Sequence, residues 1–144
     1  MSTTVTNTVD VTADPNDVWT VLADLPGTRW WLPGVVAARM DGDVRVCTMA
    51  DGQEIRERIS DVSSEQRSFR FEHLRVPLPV QRSYGTFTVT AGSAPGTARV
   101  LLQTVFDPLD PAGGEELAGM IQGAFGQSLQ SLRRYVEEKV PWDA

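Results

Sequence analysis

The residues able to do chemistry in this sequence are few, and most stand on strands. Glu57 alternates with Ile55 and Ile59, so a carboxylate shares the apolar face of its strand. Arg45 lies on the preceding strand, across an Asp51-Gly52 turn, and the turn type decides whether the two meet. A two-residue type I′ turn sets Arg45 opposite Arg58, whereas Ala50-Asp51-Gly52 closed by a glycine bulge sets it opposite Glu57. A carboxylate turned inward without a partner is costly, and an opposed arginine is the simplest remedy. The competing picture is a solvated pair at a sheet edge, worth under ~1 kcal/mol. His73, the sole histidine, follows Phe69 and Phe71 on one face of the next strand. It is either a general acid or base or a hydrogen-bonded core histidine. Cys47 shares the side of Arg45 and Met49 and reads as a small hydrophobe. No Ser-His-Asp or Cys-His set is recoverable by spacing, which disfavours nucleophilic catalysis.

Composition narrows the partners. The chain has 144 residues, 41% hydrophobic and 22% charged, with a net charge of -6. These values fit one folded domain spanning 1–144. An acidic balance without clustered Lys/Arg disfavours nucleic acid and anionic membranes. No run of ~18 apolar residues occurs, so no integral membrane span is expected. The first residues show neither a basic start nor an apolar stretch, and a cytoplasmic location is expected. One cysteine and one histidine do not make a usual zinc site, and no glycine-rich phosphate loop follows a strand. No metal or other cofactor is expected.

The elements that must position these groups are legible from periodicity. Thr4 to Val11 alternate as a half-buried strand, with Asn7 on the apolar side. Asp14-Pro15-Asn16-Asp17 starts a helix that runs to about Leu25, where Pro26-Gly27 breaks it, and Arg29-Trp30-Trp31-Leu32 forms a second short turn. Between Val35 and Asp107 about six strands alternate with turn residues. Glu115 to about Lys139 carries Leu117, Ile121, Leu129, Leu132 and Val136 at helical spacing, long enough to cross a small domain. The predicted class is α+β: a curved antiparallel sheet of about seven strands wrapped on a long C-terminal helix, with two short helices after the first strand. Trp30 and Trp31 point to different sides of their turn, and Trp30 is assigned to the ligand side, where indole stacks on flat ligands. Trp19 packs the first helix on the sheet. Gly119, Gly123 and Gly126 weaken a helix interior, and either open volume for a ligand or allow close packing. The stiff apolar segment Arg75-Val76-Pro77-Leu78-Pro79 reads as a lid or a partner-binding edge.

Taken in order, Ala13-Asp14-Pro15-Asn16-Asp17-Val18-Trp19, Trp30-Trp31-Leu32-Pro33-Gly34, Glu57-Arg58-Ile59, Ser83-Tyr84-Gly85-Thr86 and Ser128-Leu129-Gln130-Ser131-Leu132 give the chain its likeness. It resembles the polyketide cyclase/dehydrase and lipid-transport group of the START-like superfamily, which also holds birch-pollen-allergen-like proteins and plant abscisic-acid receptors. The resemblance spans nearly the whole chain and implies a helix-grip fold around a hydrophobic cavity. It favours the bulged register and a buried Arg45–Glu57 pair. It also implies that Tyr84 faces the ligand, against the alternation that puts Phe87 and Val89 inside. Gln103, Met120, Ala124 and Ser128 match cavity-facing positions of the family.

The expected function follows from both readings: binding of a hydrophobic, aromatic or polyketide-like small molecule in an internal cavity. In an enzyme of this type Glu57, Tyr84, Arg45 and His73 are the candidates for catalysis of cyclisation or dehydration. Trp30, Cys47, Met49, Phe71, Gln103, Met120, Ala124 and Ser128 are the candidates for ligand contact. The alternatives are a non-catalytic lipid, quinone or hormone-like carrier or sensor, and an interaction module docking through the Pro77–Pro79 edge. Monomer and homodimer are both open.

Overall fold

The computed structural model describes residues 2–144. In chain order it contains β1 (Thr3–Val11), α1 (Pro15–Ala23), α2 (Thr28–Trp31), β2 (Val35–Asp41), β3 (Val44–Met49), β4 (Glu54–Ser63), β5 (Ser68–Arg75), β6 (Val80–Ala91), β7 (Ala98–Pro108) and α3 (Gly114–Glu138). The strands form one antiparallel sheet in the order β1-β7-β6-β5-β4-β3-β2. Its inner face packs on α3 and α1. Phe69, Phe71, Phe87 and Leu102 meet Leu129, Leu132 and Val136 of α3, and a smaller cluster joins Val5 and Phe106 to Leu117 and Ile121. Trp19 of α1 lies on Phe69, ring centroids 6.2 Å apart.

Three local features set the geometry of the site. First, α1 begins as its sequence requires, with the Asp14 side chain accepting from the Asn16 N–H at 2.9 Å and Pro15 in the first turn. It ends at Ala23, before the expected Leu25, because Leu25-Pro26-Gly27 form a separate 3-10 turn. In that turn the Leu25 carbonyl accepts from the Thr28 hydroxyl at 3.3 Å and keeps a second lone pair for a partner outside the helix.

Second, β3 and β4 are joined by Ala50-Asp51-Gly52. Gly52 adopts φ +88 and donates its N–H to the Met49 carbonyl at 2.9 Å, while Met49 donates to the Gln53 carbonyl at 2.8 Å. The Asp51 carboxylate accepts from the Gln53 N–H at 3.0 Å. This is the bulged turn, and it places Arg45 opposite Glu57.

Third, β6 and β7 pair without a break from Ser83↔Phe106 to Ala91↔Ala98. With no bulge at Gly85, simple alternation holds: Ser83, Gly85, Phe87 and Val89 turn inward and are buried. Gly85 is required because a Cβ there would fall within the Phe71 ring. Tyr84 therefore belongs to the outer face, contrary to its expected place. The glycines of α3 also differ from expectation. A Cβ at Gly119 or Gly123 would meet nothing within 4 Å, and Gly126 lies over the Asn7 amide, so none of the three hollows out the interior. Among the described residues no helix is long and apolar enough to cross a membrane.

The left-handed backbone at Gly52 yields a direct expectation. An L-residue there costs about 1–2 kcal/mol, so Gly52→Ala is expected to lower stability by that amount in urea titration. Gly96→Ala, also at positive φ but remote from β3 and β4, controls for the backbone term. Only Gly52→Ala should loosen the Arg45–Glu57 pairing, read from the amide protection of β3 and β4.

Candidate functional site

Antiparallel register turns four separate residues into one line. Arg45 of β3 opposes Glu57 of β4, and Glu57 opposes His73 of β5. Ser83 of β6 completes the row through its contact with His73. Arg45 Nε donates to Glu57 Oε1 at 3.0 Å and Nη1 donates to the Leu25 carbonyl at 3.3 Å. Glu57 Oε2 lies 3.7 Å from His73 Nε2, and His73 Nδ1 lies 3.0 Å from Ser83 Oγ. Arg45 is 2% exposed and Glu57 6%, which excludes the solvated edge pair. A buried pair of this kind holds only when its spare valences are met, and the Leu25 carbonyl meets one of them.

Burial acts on the titratable groups at and beside the row. Burial pushes the His73 imidazole below its ordinary value of 6.5; Glu57 opposes that shift and Arg45 adds to it. The ring is therefore neutral near physiological pH. The adjacent carboxylate favours the tautomer with the proton on Nε2, so that the Ser83 hydroxyl donates to Nδ1. Cys47 lies beside the pair, its Sγ 4.0 Å from Glu57 Oε1 and 3.8 Å from Thr28 Oγ. Burial, then the Glu57 charge, push its thiol up, so it remains protonated and a poor nucleophile.

Above this row lies a cavity of about 280 Å³ between the sheet and α3. Arg45, Cys47, Met49, Glu57, Phe71, His73, Met120, Ala124 and Ser128 line it, as do Trp31, Phe87 and Leu102. Its mouth is framed by Met120 and Ala124 of α3 and by Val76, Pro77 and Leu78 between β5 and β6. Met120 is 60% exposed, which fits a rim position. Ser128 donates its hydroxyl to the Ala124 carbonyl at 3.1 Å, leaving its oxygen as an acceptor.

Three residues expected at the ligand lie elsewhere. Tyr84 is stacked on the outer face, with the guanidinium of Arg70 3.9 Å and that of Arg82 5.2 Å from its ring. Gln103 is exposed opposite Thr6 and Thr86, because β7 turns Leu102 and Thr104 inward. Trp30 is 46% exposed under Arg29, and Trp31 is the inward member of the pair, edge-on to Phe87 at 6.1 Å.

Sequence reasoning missed Ser83 and Trp142. Ser83 was legible only through the alternation with Phe87. Trp142, after α3, donates its indole N–H to the carbonyls of Arg29 and Val35, each at 3.0 Å. Its backbone N–H binds the Trp30 carbonyl at 3.0 Å, and Asp143 pairs with Arg29 at 3.0 Å. These bonds tie down α2, which carries Trp31 into the cavity wall. Among the described residues no cluster of three His, Cys, Asp or Glu side chains is placed to hold a metal ion.

The family model for polyketide cyclase/dehydrase and lipid transport matches residues 2–137. The chain belongs to that family. Its helix-grip fold is shared by solved structures of low sequence identity. A Bacillus thuringiensis protein of unassigned function superposes with a TM-score of 0.87 at 22% identity, over 93% of this chain and 98% of that one. Norcoclaurine synthase from Thalictrum flavum gives 0.74 at 18% identity, over 96% of each chain. The di-domain ARO/CYC BexL gives 0.82 at 18% identity over 94% of this chain, which spans 46% of BexL. No curated protein matches the sequence. Family membership and fold are thus settled.

The buried imidazole makes stability depend on pH in a definite sense. His73 is lowered in the native state, so between its native value and about 6.5 the unfolded chain binds a proton that the folded chain does not. Its contribution is complete above about 6.5 and is lost as pH falls toward the lowered native value. Melting temperature should fall between pH of about 7 and 5, and His73→Gln should flatten that fall. Parallel curves for the two proteins would contradict a buried neutral ring.

Proposed function

We propose that the protein encloses a hydrophobic, oxygen-bearing small molecule, aromatic or polyketide-like, and catalyses its cyclisation or dehydration. The observation that carries this reading is a carboxylate beside a neutral imidazole at the polar end of an otherwise apolar cavity. A carrier needs volume and one or two orienting hydrogen bonds. A buried, ion-paired carboxylate held against a histidine is more than carrying requires, and it suits proton transfer.

The chemistry needs no covalent intermediate. A folded polyketone already contains both partners of an aldol closure, and the cavity supplies their approach. Glu57 takes the proton from the carbon between two carbonyls, and the resulting carbanion bonds to a ketone carbon. The neutral His73 N–H donates to the oxygen on which negative charge develops. Glu57 returns the proton to the alkoxide, then removes a second proton from the same carbon and passes it to the departing hydroxyl, which leaves as water as the carbon–carbon double bond forms. Arg45 holds the Glu57 carboxylate in position throughout, and Ser83 orients the His73 ring through Nδ1. The related fold of norcoclaurine synthase has been solved with dopamine and hydroxybenzaldehyde, and BexL carries an ARO/CYC designation. Both lend support to small aromatic substrates for a cavity of this shape.

The test separates binding from turnover. Native mass spectrometry of the purified protein should detect a retained small molecule. With an aryl β-hydroxy ketone, whose loss of water gives an enone followed by absorbance, Glu57→Gln should lower kcat about 100-fold, well beyond its effect on binding. Tyr84→Phe, on the outer face, should leave both unchanged. Unaltered turnover in Glu57→Gln would remove the catalytic assignment and leave a binding protein.

A further inference from the structure

The polar end of the cavity also dictates what kind of oxygen it accepts. The Arg45 charge is balanced inside the protein by the Glu57 carboxylate, and two of its N–H groups are taken by Glu57 Oε1 and the Leu25 carbonyl. His73 is neutral, so the row presents no net charge to a ligand. Glu57 Oε2 and His73 Nε2 face each other at 3.7 Å, too far apart for a hydrogen bond between them. Both line the cavity. Toward the cavity the two atoms thus offer one acceptor and, in the Nε2–H tautomer that the Glu57 carboxylate favours, one donor.

Only certain groups complete both bonds at once. A hydroxyl donates to the carboxylate and accepts from the imidazole. A ketone has no donor and leaves Oε2 unmet. An ammonium has no acceptor for the imidazole N–H. A carboxylate has no donor and brings a second negative charge beside Glu57 with no unmatched cation to offset it.

We infer that the cavity selects uncharged ligands bearing a hydroxyl, phenolic or enolic, seated between Glu57 Oε2 and His73 Nε2, and rejects the carboxylate of the same skeleton. The inference rests on the cavity being a ligand site, and it extends that reading from an oxygenated ligand to one class of oxygen. It separates aromatic alcohols and enols from free fatty acids, which the same apolar walls would otherwise admit.

The experiment compares naphthalene, naphthol and naphthoate by calorimetry at neutral pH with the whole protein. Naphthol is expected to bind about tenfold more tightly than naphthalene, as a hydrogen bond to a charged group gives, and naphthoate more weakly than naphthalene. Equal binding of naphthol and naphthalene, or naphthoate as tight as naphthol, overturns the inference while leaving the cavity as a ligand site. Failure of all three to bind overturns the ligand-site reading and the inference with it. Glu57→Gln, checked for folding by its melting curve, leaves the Arg45 charge unmatched. Naphthoate should then gain about tenfold and naphthol lose its advantage; unchanged preferences in a folded variant also overturn the inference. Should that variant not fold, the wild-type comparison decides alone.

Discussion

A salt bridge inside a sheet is the condition that much of this molecule is arranged to meet. Removing a guanidinium and a carboxylate from water costs several kcal/mol for each ion. Arg45 and Glu57 are tolerated because their partners are fixed by structure rather than by chance. The β3–β4 register depends on the left-handed backbone at Gly52. The carbonyl that receives the second guanidinium bond has a lone pair to spare because α1 stops early and Leu25 opens a separate turn. The short helix that follows is clamped by Trp142 and Asp143. A turn, a truncated helix and a distant indole therefore all bear on one ion pair.

The same arrangement divides the cavity into two chemical regimes. Side chains from β3, β4, β5 and β6 form a single polar line, while α2, α3 and the β5–β6 connection supply apolar walls. The line is low in net charge and high in directed hydrogen bonds. Such a surface distinguishes ligands by donor and acceptor pattern more than by electrostatic attraction. The protein's overall charge of -6 is thus carried outside the site and does not govern what enters it.

Most of the fold was legible because period-two and period-3.6 patterns report directly on burial. The seven strands, two short helices and long helix all follow from that rule. The Arg45–Glu57 pairing was legible as one of two registers; the resemblance favoured the bulged one, and the turn at Gly52 has it. The errors arose where analogy overrode alternation. Tyr84 and Gln103 were placed inward by resemblance, whereas unbroken β6–β7 pairing turns Ser83, Phe87 and Leu102 inward instead. Trp30 and Trp31 are adjacent on a turn too short for periodicity to choose between them. Trp142 lies outside every periodic segment, so its bonds to α2 had no signal in sequence. Ser83 was hidden for a different reason, since its importance comes from the histidine beside it.

The glycines of α3 divide that helix energetically. Gly119 and Gly123 face open space, so each lowers helix stability by about 1 kcal/mol relative to alanine without a packing gain in return. Beyond Gly126 the helix is anchored by Leu129, Leu132 and Val136 in the main core. The half that carries Met120 and Ala124 is therefore the weaker one, and it borders the mouth of the cavity. It is held by the smaller cluster of Leu117 and Ile121 on Val5 and Phe106, so its local stability is expected to lie below that of the other half. Backbone entropy at two glycines thus makes this stretch of α3 the softest wall beside the mouth of the cavity, without any hinge between rigid bodies.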